Sequence, residues 1–235
     1  MQRRVEPEWL DELPPEDERA AASRKDLQRI NSLMGHVSLL ARLFQRAGGE
    51  EPIRRIVELG AGDGTFLLRL ARRLSTQGKP LKAVLVDRQR IVSQKTREGF
   101  ASLGWEVEVV TADVFEWLAK PFPPDHTCLV ANLFLHHFCE DKLRELFRKA
   151  AISSRLFAAC EPRRSRLALS ASRMLGLIGC NPVSRHDAVI SVRAGFVGSE
   201  LSACWPEDRH WKLLEQEEGL FSHSFLAQQQ EGQQL

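Results

Sequence analysis

Apolar residues recur at two different spacings along the chain. Between residues 27 and 44 they return every three or four positions, which predicts an amphipathic helix that Ser23 caps, that either continues past Gly35 or breaks near it, and that Gly48 and Gly49 end. From residue 53 onward, short apolar runs alternate with helical stretches, and this predicts a parallel sheet with helices on both faces. The predicted strands cover residues 53–59, 81–86, 105–110, 128–135 and 156–160, and the predicted helices roughly 65–75, 88–99 and 140–152.

The two ends of the chain break this alternation. The first residues are acidic and contain three prolines, so we expect an extended or partly disordered leader. The last two apolar runs are separated by a glycine-containing turn, as in an antiparallel hairpin. The expected segments are a leader (1–22), a helical cap (23–50), a main domain (51–228) with a helical insertion after the fifth strand (163–203), and a polar tail (229–235).

Composition and charge exclude several classes of protein. The chain is 43% hydrophobic and 27% charged, which is ordinary for a globular domain. No apolar run approaches the length of a membrane-spanning helix, and the N-terminus lacks the apolar stretch of a signal peptide. We therefore predict a cytoplasmic protein without a membrane span. The net charge of +2 is too small to indicate nucleic-acid binding.

Cysteine and histidine spacing speaks against a metal. The five cysteines are scattered and form no C-x-x-C pair, so we expect free thiols. No cluster of histidine, cysteine and acidic residues has the spacing of metal ligands. His136 and His137 are adjacent, so their rings are expected to diverge rather than share an ion. We predict that the protein requires no metal.

A glycine-rich turn follows the first predicted strand. Its sequence is Glu58-Leu59-Gly60-Ala61-Gly62-Asp63-Gly64-Thr65, and a predicted helix comes next. Glycines let a backbone approach a ligand closely, and the carboxyl ends of parallel strands are where such sheets bind ligands. In a dinucleotide fingerprint the third glycine comes one residue later, and glycine or alanine stands where this chain has Thr65. The turn therefore predicts a ligand crevice of a different kind, unless it only joins strand to helix.

Acidic residues end the next two predicted strands. Asp87 can accept hydrogen bonds from both hydroxyls of a ribose, or it is an ordinary aspartate in a turn. Asp113 can accept from an adenine amino group, while a neighbouring backbone N–H reaches a ring nitrogen. Asp113 can also cap the helix that follows it, and both roles can hold together.

In order and spacing these residues resemble the motifs of class I S-adenosylmethionine-dependent methyltransferases. The resemblance covers residues 53–161 and implies an α/β, Rossmann-like, mostly parallel seven-stranded sheet in the order 3-2-1-4-5-7-6, with strand 7 antiparallel. It implies S-adenosylmethionine as the cofactor. The implied contacts are Gly60 and Gly62 at the methionine part, Glu58 at the amino group, Asp87 at the ribose, Asp113 and Val114 at the adenine, and Asn132 beneath the sulfonium. The expected cofactor-binding residues also include Ala61, Gly64 and Arg88.

The loop at residues 132–138, N-L-F-L-H-H-F, is similar to that of the quinone-biosynthesis-like subgroup. That resemblance implies a small, often aromatic or lipid-like, acceptor. The chain has neither the D/N-P-P-Y loop of nucleic-acid amino methyltransferases nor a cysteine after a proline, as cytosine-C5 methyltransferases need. We therefore predict a small-molecule substrate and no nucleic acid.

Methyl transfer from a sulfonium is an in-line displacement, so the protein must align the acceptor and exclude water. A hydroxyl acceptor also benefits from a base, and His136 and His137 are the candidates by position. The alternative is that one or both pack structurally behind the cleft.

Two further segments are expected to border the cleft. The helix at 27–44 either covers the substrate or packs on the core. The insertion at 163–203 is expected to supply apolar walls that suit a hydrophobic substrate, or again core packing. The wall residues would be Leu167, Leu169, Met174, Leu175, Leu177 and Ile178. Four arginines in the insertion, either a solvated face or a site for an acidic group or acidic carrier protein, are Arg163, Arg164, Arg166 and Arg173.

Two rival functions stay open at this point. An RNA or protein methyltransferase would need an arginine face with stacking aromatics, but the chain has no tyrosine. A catalytically silent binding protein of the same fold would not need the glycines and Asp87 intact.

Overall fold

The computed structural model describes residues 1–47, 53–74, 81–120, 122, 124, 126–207 and 210–230. In this part of the chain seven strands form one sheet in the order β3-β2-β1-β4-β5-β7-β6, with β7 antiparallel to both neighbours. The predicted strand order is confirmed. The strands are β1 (Arg55–Leu59), β2 (Lys82–Asp87), β3 (Glu106–Thr111), β4 (Thr127–Asn132), β5 (Leu156–Pro162), β6 (Trp211–Glu218) and β7 (Ser222–Gln229).

Helices cover both faces of the sheet. The α-helices are α1 (Trp9–Glu12), α2 (Glu18–Met34), α3 (His36–Ala47), α4 (Thr65–Leu74), α5 (Gln94–Ala101), α6 (Val114–Leu118), α7 (Glu140–Ser153), α8 (Arg166–Arg173) and α9 (Pro182–Ala194). One apolar core lies between the sheet and α3, α4 and α5, and a second lies between the sheet and α6 and α7.

The central strands are buried along their whole length. Every residue of β4 and β5 is buried, which explains their nearly continuous apolar sequence, because a parallel strand with helices on both sides meets no water. Successive residues alternate between the two cores, as in Ile56 and Val57 of β1. The buried strands bring their carboxyl ends to one edge, where the site forms.

The N-terminal helices begin and end at other residues than the sequence predicted. Helix α2 starts at Glu18 because the Asp17 carboxylate accepts a hydrogen bond from the Arg19 backbone N–H, 2.8 Å away. Ser23, the expected cap, is buried inside the helix. Gly35, with a φ of +67°, then separates α2 from α3. The expected stop at Gly48 and Gly49 lies outside the described residues, as does most of the polar tail.

The expected leader is held by long-range contacts instead of being disordered. Arg3 donates to the backbone oxygens of Ala194 and Phe138, each 2.8 Å away. Further along, the backbone N–H groups of Trp9 and Leu10 both donate to the Asp187 carboxylate of α9. The acidic, proline-containing composition did not reveal this because the partners lie more than 130 residues away. We call residues 3–11 the N-terminal segment.

The insertion after β5 contains α8, a 3-10 turn (Leu175–Ile178), α9 and a second 3-10 turn (Ser202–Cys204). Helix α9 ends at Ala194, before the end of the insertion that was predicted to be helical over 163–203. The next residue, Gly195, passes so close to β5 that an added Cβ would lie 2.3 Å from the Pro162 backbone oxygen. The insertion is thereby pressed against the end of the sheet.

Candidate active site

A cavity of about 890 Å³ opens at the carboxyl ends of the parallel strands. Each of the first five strands contributes a lining residue at or just beyond its end: Glu58, Asp87, Asp113, Asn132 and Pro162. The opposite walls come from the N-terminal segment, α2, α8 and α9. The cavity is therefore bounded by the predicted ligand crevice on one side and by the insertion and the N-terminal helices on the other.

The glycine turn follows the shape that its sequence predicted. Gly60 has a φ of +69°, and an added Cβ would lie 2.1 Å from the Phe134 ring, so glycine is required here on both counts. Gly62 has a φ of +53° with open space around it. Gly60, Ala61 and Gly62 all line the cavity.

Gly64 has a different role from its neighbours. It does not line the cavity, and an added Cβ would lie 2.5 Å from Cδ1 of Leu85 in β2. Gly64 therefore lets α4 pack closely on the sheet, and the structure does not place it with the predicted cofactor residues.

Asp87 is fixed by two backbone groups. Its Oδ2 accepts from the Gly62 N–H at 2.8 Å, and its Oδ1 accepts from the Gln89 N–H at 2.7 Å. A carboxylate oxygen has room for a second donor, so both oxygens can still receive a hydroxyl. Arg88 lines the cavity next to Asp87 with an exposed side chain.

Asp113 caps the helix that follows it, which was one of its two predicted roles. Its Oδ1 accepts from the Phe115 N–H at 2.8 Å at the start of α6. Asp113 and Val114 also line the cavity, with Val114 buried as an apolar wall. The position suits a flat ring beside Val114.

Glu58 carries a buried carboxylate oxygen that, among the described residues, has no hydrogen-bond partner. Burial, with Asp63 and Asp87 nearby, raises the pKa of Glu58 well above its usual range. Such a group costs free energy unless a cation or donor reaches it. The ammonium group of an amino-acid ligand in the cavity would satisfy it, so the residues present fit the predicted cofactor.

His136 lies between two carboxylates. Its Nδ1 is 2.7 Å from Glu161 Oε2, and its Nε2 is 3.3 Å from Glu8 Oε1 of the N-terminal segment. Burial disfavours charge on the ring, but these two hydrogen bonds prevail and raise the pKa of His136 to about 9. His136 is therefore an imidazolium at neutral pH, with both nitrogens already donating.

Glu161 holds the whole loop that contains the histidines. Besides His136 Nδ1, it accepts from the backbone N–H groups of Phe134, Leu135 and His136. Burial raises its pKa, but these hydrogen bonds outweigh burial and the pKa is lowered. The residues that donate these backbone hydrogen bonds lie just before and within the 3-10 turn (Leu135–His137) that follows β4.

His137 differs from its neighbour in its partners. Its Nδ1 lies 3.3 Å from Asp11 Oδ2, and the ring lines the cavity. Burial, and then the charge on His136, lower the pKa of His137. The two rings do not diverge as expected, because the 3-10 turn places their centroids 4.4 Å apart at 31°.

Asn132 ends β4 and lines the cavity, but its carboxamide is engaged. The His36 Nδ1–H donates to Asn132 Oδ1 at 2.7 Å, and Ser222 donates to His36 Nε2 at 2.8 Å. The ring is fully buried, and burial lowers the pKa of His36 to about 4. This neutral bridge ties α3 to β4 and β7.

Three important residues were missed by sequence reasoning. Glu161 ends β5 as Asp87 ends β2, so its strand-end position was an available signal. Glu8 and His36 gave no signal, since each meets its partner about 100 residues or more away.

The described residues contain one group that could hold a metal ion. Glu8, His136 and His137 each offer one ligand atom, and these three atoms lie within 4.8 Å of one another. The sequence showed no such cluster because Glu8 is remote along the chain. Protons already satisfy both His136 nitrogens, and a Ser191 hydroxyl donates to Glu8. That no metal is needed stays a prediction.

The predicted apolar wall and arginine cluster are divided between different environments. Of the six predicted wall residues only Leu175 lines the cavity. Arg164 is buried and pairs with Glu200, and Arg163 pairs with Glu217. Those that are exposed instead are Leu167, Met174, Leu177, Ile178, Arg166 and Arg173.

Comparison with known proteins agrees with this geometry. Residues 56–154 match a family model described as a methyltransferase domain. The plantazolicin methyltransferase BpumL, solved with S-adenosylhomocysteine, is 11% identical with a TM-score of 0.64, and 92% of each chain is covered. No curated protein matches the sequence.

Two further solved structures are similar over part of their length. The mitomycin 7-O-methyltransferase MmcR is 18% identical with a TM-score of 0.57. The pyocyanin biosynthetic protein PhzM is 15% identical with a TM-score of 0.54. This chain is covered to 94% in both matches and spans 60% of each of those chains. At these identities the likeness concerns the fold.

The predicted class is confirmed by the matched domain together with the strand order. Residues 56–154 match a methyltransferase domain, and the sheet has the strand order that the class I resemblance implied. No helix in the described ranges is long and apolar enough to cross a membrane.

Proposed function

We propose that this protein transfers the methyl group of S-adenosylmethionine to a small, largely apolar molecule in the cavity. One observation carries the cofactor half: the unpartnered Glu58 oxygen lies in the same cavity wall as the Gly60–Gly62 backbone and the Asp87 carboxylate. These groups match an ammonium, a chain that needs close backbone approach, and a ribose diol. Asp113 and Val114 would hold the adenine.

The acceptor half rests on the rest of the cavity. Beyond the glycine turn the walls include the apolar side chains of Leu27, Ile30, Phe138, Ala188 and Val192, and the charged groups of Glu8, Asp11 and Asp187 lie among them. A pocket of this size and character suits an organic molecule rather than a polymer. The names of MmcR and PhzM, which refer to mitomycin and pyocyanin, agree with a small-molecule acceptor.

The proposed base is His137 rather than His136. Both nitrogens of His136 donate to carboxylates, so that ring has no lone pair for a substrate proton. His137 lines the cavity, and its lowered pKa keeps it neutral at pH 7. A neutral imidazole can accept the proton of a hydroxyl as the methyl group is transferred.

The other residues of the site would orient and enclose the reactants. The bound cofactor supplies the electrophilic methyl group and the leaving thioether. Glu161 sets the position of the histidine turn through three backbone N–H groups. The N-terminal segment covers that turn through Arg3 and Glu8 and excludes water from it.

Calorimetric titration tests the cofactor assignment. S-adenosylmethionine and S-adenosylhomocysteine should bind, and NAD should not. Asp87→Ala should weaken binding by roughly 1–3 kcal/mol, because two ribose hydroxyls lose a charged acceptor. Asp141→Ala is the matched control, since Asp141 is an exposed carboxylate on α7 that does not line the cavity. Binding of NAD without S-adenosylmethionine would reject the proposal.

The acceptor can be sought with the methyl-labelled cofactor and a metabolite extract. Label that appears in small molecules, and not in RNA or protein, would support the proposed substrate class.

A further inference from the structure

The mouth of the cavity is rimmed by apolar side chains that are exposed to solvent. Leu33 of α2 and Phe221, just before β7, both line the cavity and are 78% and 36% exposed. Leu175 lines it from the 3-10 turn after α8, where its neighbours are exposed. We call the exposed set the apolar collar, and its members are Leu33, Leu167, Met174, Leu177, Ile178, Leu220 and Phe221.

The collar residues of the insertion share one side of a helix. Helix α8 continues through Met174, seven residues after Leu167, so these two side chains share one side of the helix, and the exposed Leu177 and Ile178 follow in the 3-10 turn. Arg166 and Arg173, also seven apart, lie next to that side. The segment therefore presents an apolar stripe flanked by positive charge, which is typical of helices that lie at a membrane surface.

The two flanking arginines differ from the other arginines of their cluster. Arg163 and Arg164 are paired with glutamates. Within the described ranges Arg166 and Arg173 make no hydrogen bond or ion pair, and both are exposed. Their charge is available to an anionic partner beside the exposed apolar surface.

We propose that the apolar collar binds an anionic lipid surface, from which an apolar acceptor enters the cavity. Several exposed large apolar side chains on the elements around one cavity favour a binding surface over ordinary exposure. A protein seated on the collar would close the mouth that a small substrate must use. A lipid surface covers the same side chains, pairs with Arg166 and Arg173, and supplies apolar molecules. Only the entry of the acceptor rests on the proposed function.

Vesicle co-sedimentation of the full chain tests this surface. The protein should bind phosphatidylcholine vesicles that contain phosphatidylglycerol, bind pure phosphatidylcholine more weakly, and dissociate at high salt. Leu177→Ser with Ile178→Ser should reduce binding by roughly tenfold or more, because two apolar side chains no longer enter the interface. Arg166→Ser and Arg173→Ser should each reduce it by about fivefold.

Helix α7 offers matched controls. Ile152 is 77% exposed, close to the 79% of Leu177, and Arg148 is exposed on the same helix, which does not line the cavity. Ile152→Ser and Arg148→Ser should leave vesicle binding unchanged. All variants should retain the melting temperature and the affinity for S-adenosylmethionine, so that failure of the cofactor site is seen separately.

Several outcomes would overturn the proposal. One is absence of binding to anionic vesicles at low salt, and another is an equal loss in the α7 controls. A third is that the collar variants abolish self-association, or capture of an acidic carrier protein, while vesicle binding is absent from the start. In that case the collar would belong to a protein interface.

Discussion

His36 and His136 are both buried, yet His36 is neutral at pH 7 and His136 is positively charged. His36 lies between the Asn132 carboxamide and the Ser222 hydroxyl, and burial lowers its pKa to about 4. For His136, burial also opposes the charge, but the carboxylates of Glu161 and Glu8 raise its pKa to about 9. Burial is common to both, so the partner atoms decide the charge.

The two histidines therefore have different roles around the cavity. The neutral bridge at His36 joins the N-terminal helices to the sheet without placing a charge near the cavity. The charged bridge at His136 fixes the N-terminal segment, and its charge adds to burial in lowering the pKa of the adjacent His137. A charged histidine that cannot accept a proton can thus support a neutral one that can.

The largest effect is expected from His137→Ala, which should reduce turnover by roughly 10²–10⁴-fold if the acceptor is a hydroxyl. Because the pKa of His137 is lowered, turnover of the parent protein should be constant above about pH 6.5, the ordinary histidine value. It should decrease only at lower pH, where His137 becomes protonated. Affinity for S-adenosylmethionine should change little. Near-normal turnover with a methylatable phenol would remove His137 from the chemistry.

Glu161→Gln should give the largest loss of stability. It leaves the buried His136 imidazolium with one carboxylate fewer, and removing one partner of a buried pair costs roughly 3–5 kcal/mol. Urea unfolding measures this. The matched change at the neutral bridge, Ser222→Ala, should cost about 1–3 kcal/mol, because only a neutral hydrogen bond is lost. Equal losses in the two variants would contradict the assigned charges.

The pH dependence of unfolding should separate the two bridges. The folded pKa of His136 is raised, so its contribution is present below pH 6.5 and lost as the pH rises through about 9. The folded pKa of His36 is lowered, so its contribution is present above pH 6.5 and lost as the pH falls through about 4. Each limb is worth roughly 3 kcal/mol at most.

Variants assign each limb of that profile. The groups that act on His136 are Glu161 and Glu8. Burial opposes the charge on Glu8, but its hydrogen bonds to His136 and Ser191 and the nearby imidazole charge together outweigh burial and lower the pKa of Glu8 to about 2. Glu8→Gln should therefore flatten the alkaline limb, and below the ordinary glutamate pKa it should also remove the loss that protonation of Glu8 itself contributes. His36→Gln should remove the loss between about pH 6.5 and pH 4 and leave the alkaline limb in place. Loss of the alkaline limb in His36→Gln would show that the two bridges act as one unit.

The smallest effect is expected from chelation. If protons hold the group of Glu8, His136 and His137 together, treatment with EDTA should leave turnover and melting temperature unchanged. Restoration of lost activity by zinc or magnesium would make the group a metal site and His137 a ligand.

Local sequence was sufficient for the sheet and for the placement of the glycine turn, Asp87 and Asp113 at one edge of it. Strand β4 is buried on both faces and reads as a continuous apolar run, and the glycine turn needs positive φ and close approach within ten residues of chain. Asp87 and Asp113 follow their own strands, so parallel topology alone brings them to one edge. Gly64 was misjudged because a packing glycine and a ligand glycine look alike in sequence.

The charge states of the histidines and the exposure of the apolar stripe were decided by tertiary structure. The sequence by itself determined that two adjacent histidines follow β4, but their charge depends on Glu8, Glu161 and Asp11, which come from other segments. Likewise, an apolar stripe at helical spacing does not reveal whether it faces a core, a cavity or solvent. A pKa and a solvent exposure depend on which groups surround a residue in space, and the contacts of the histidines with Glu8 and Asp11 span more than 120 residues of chain.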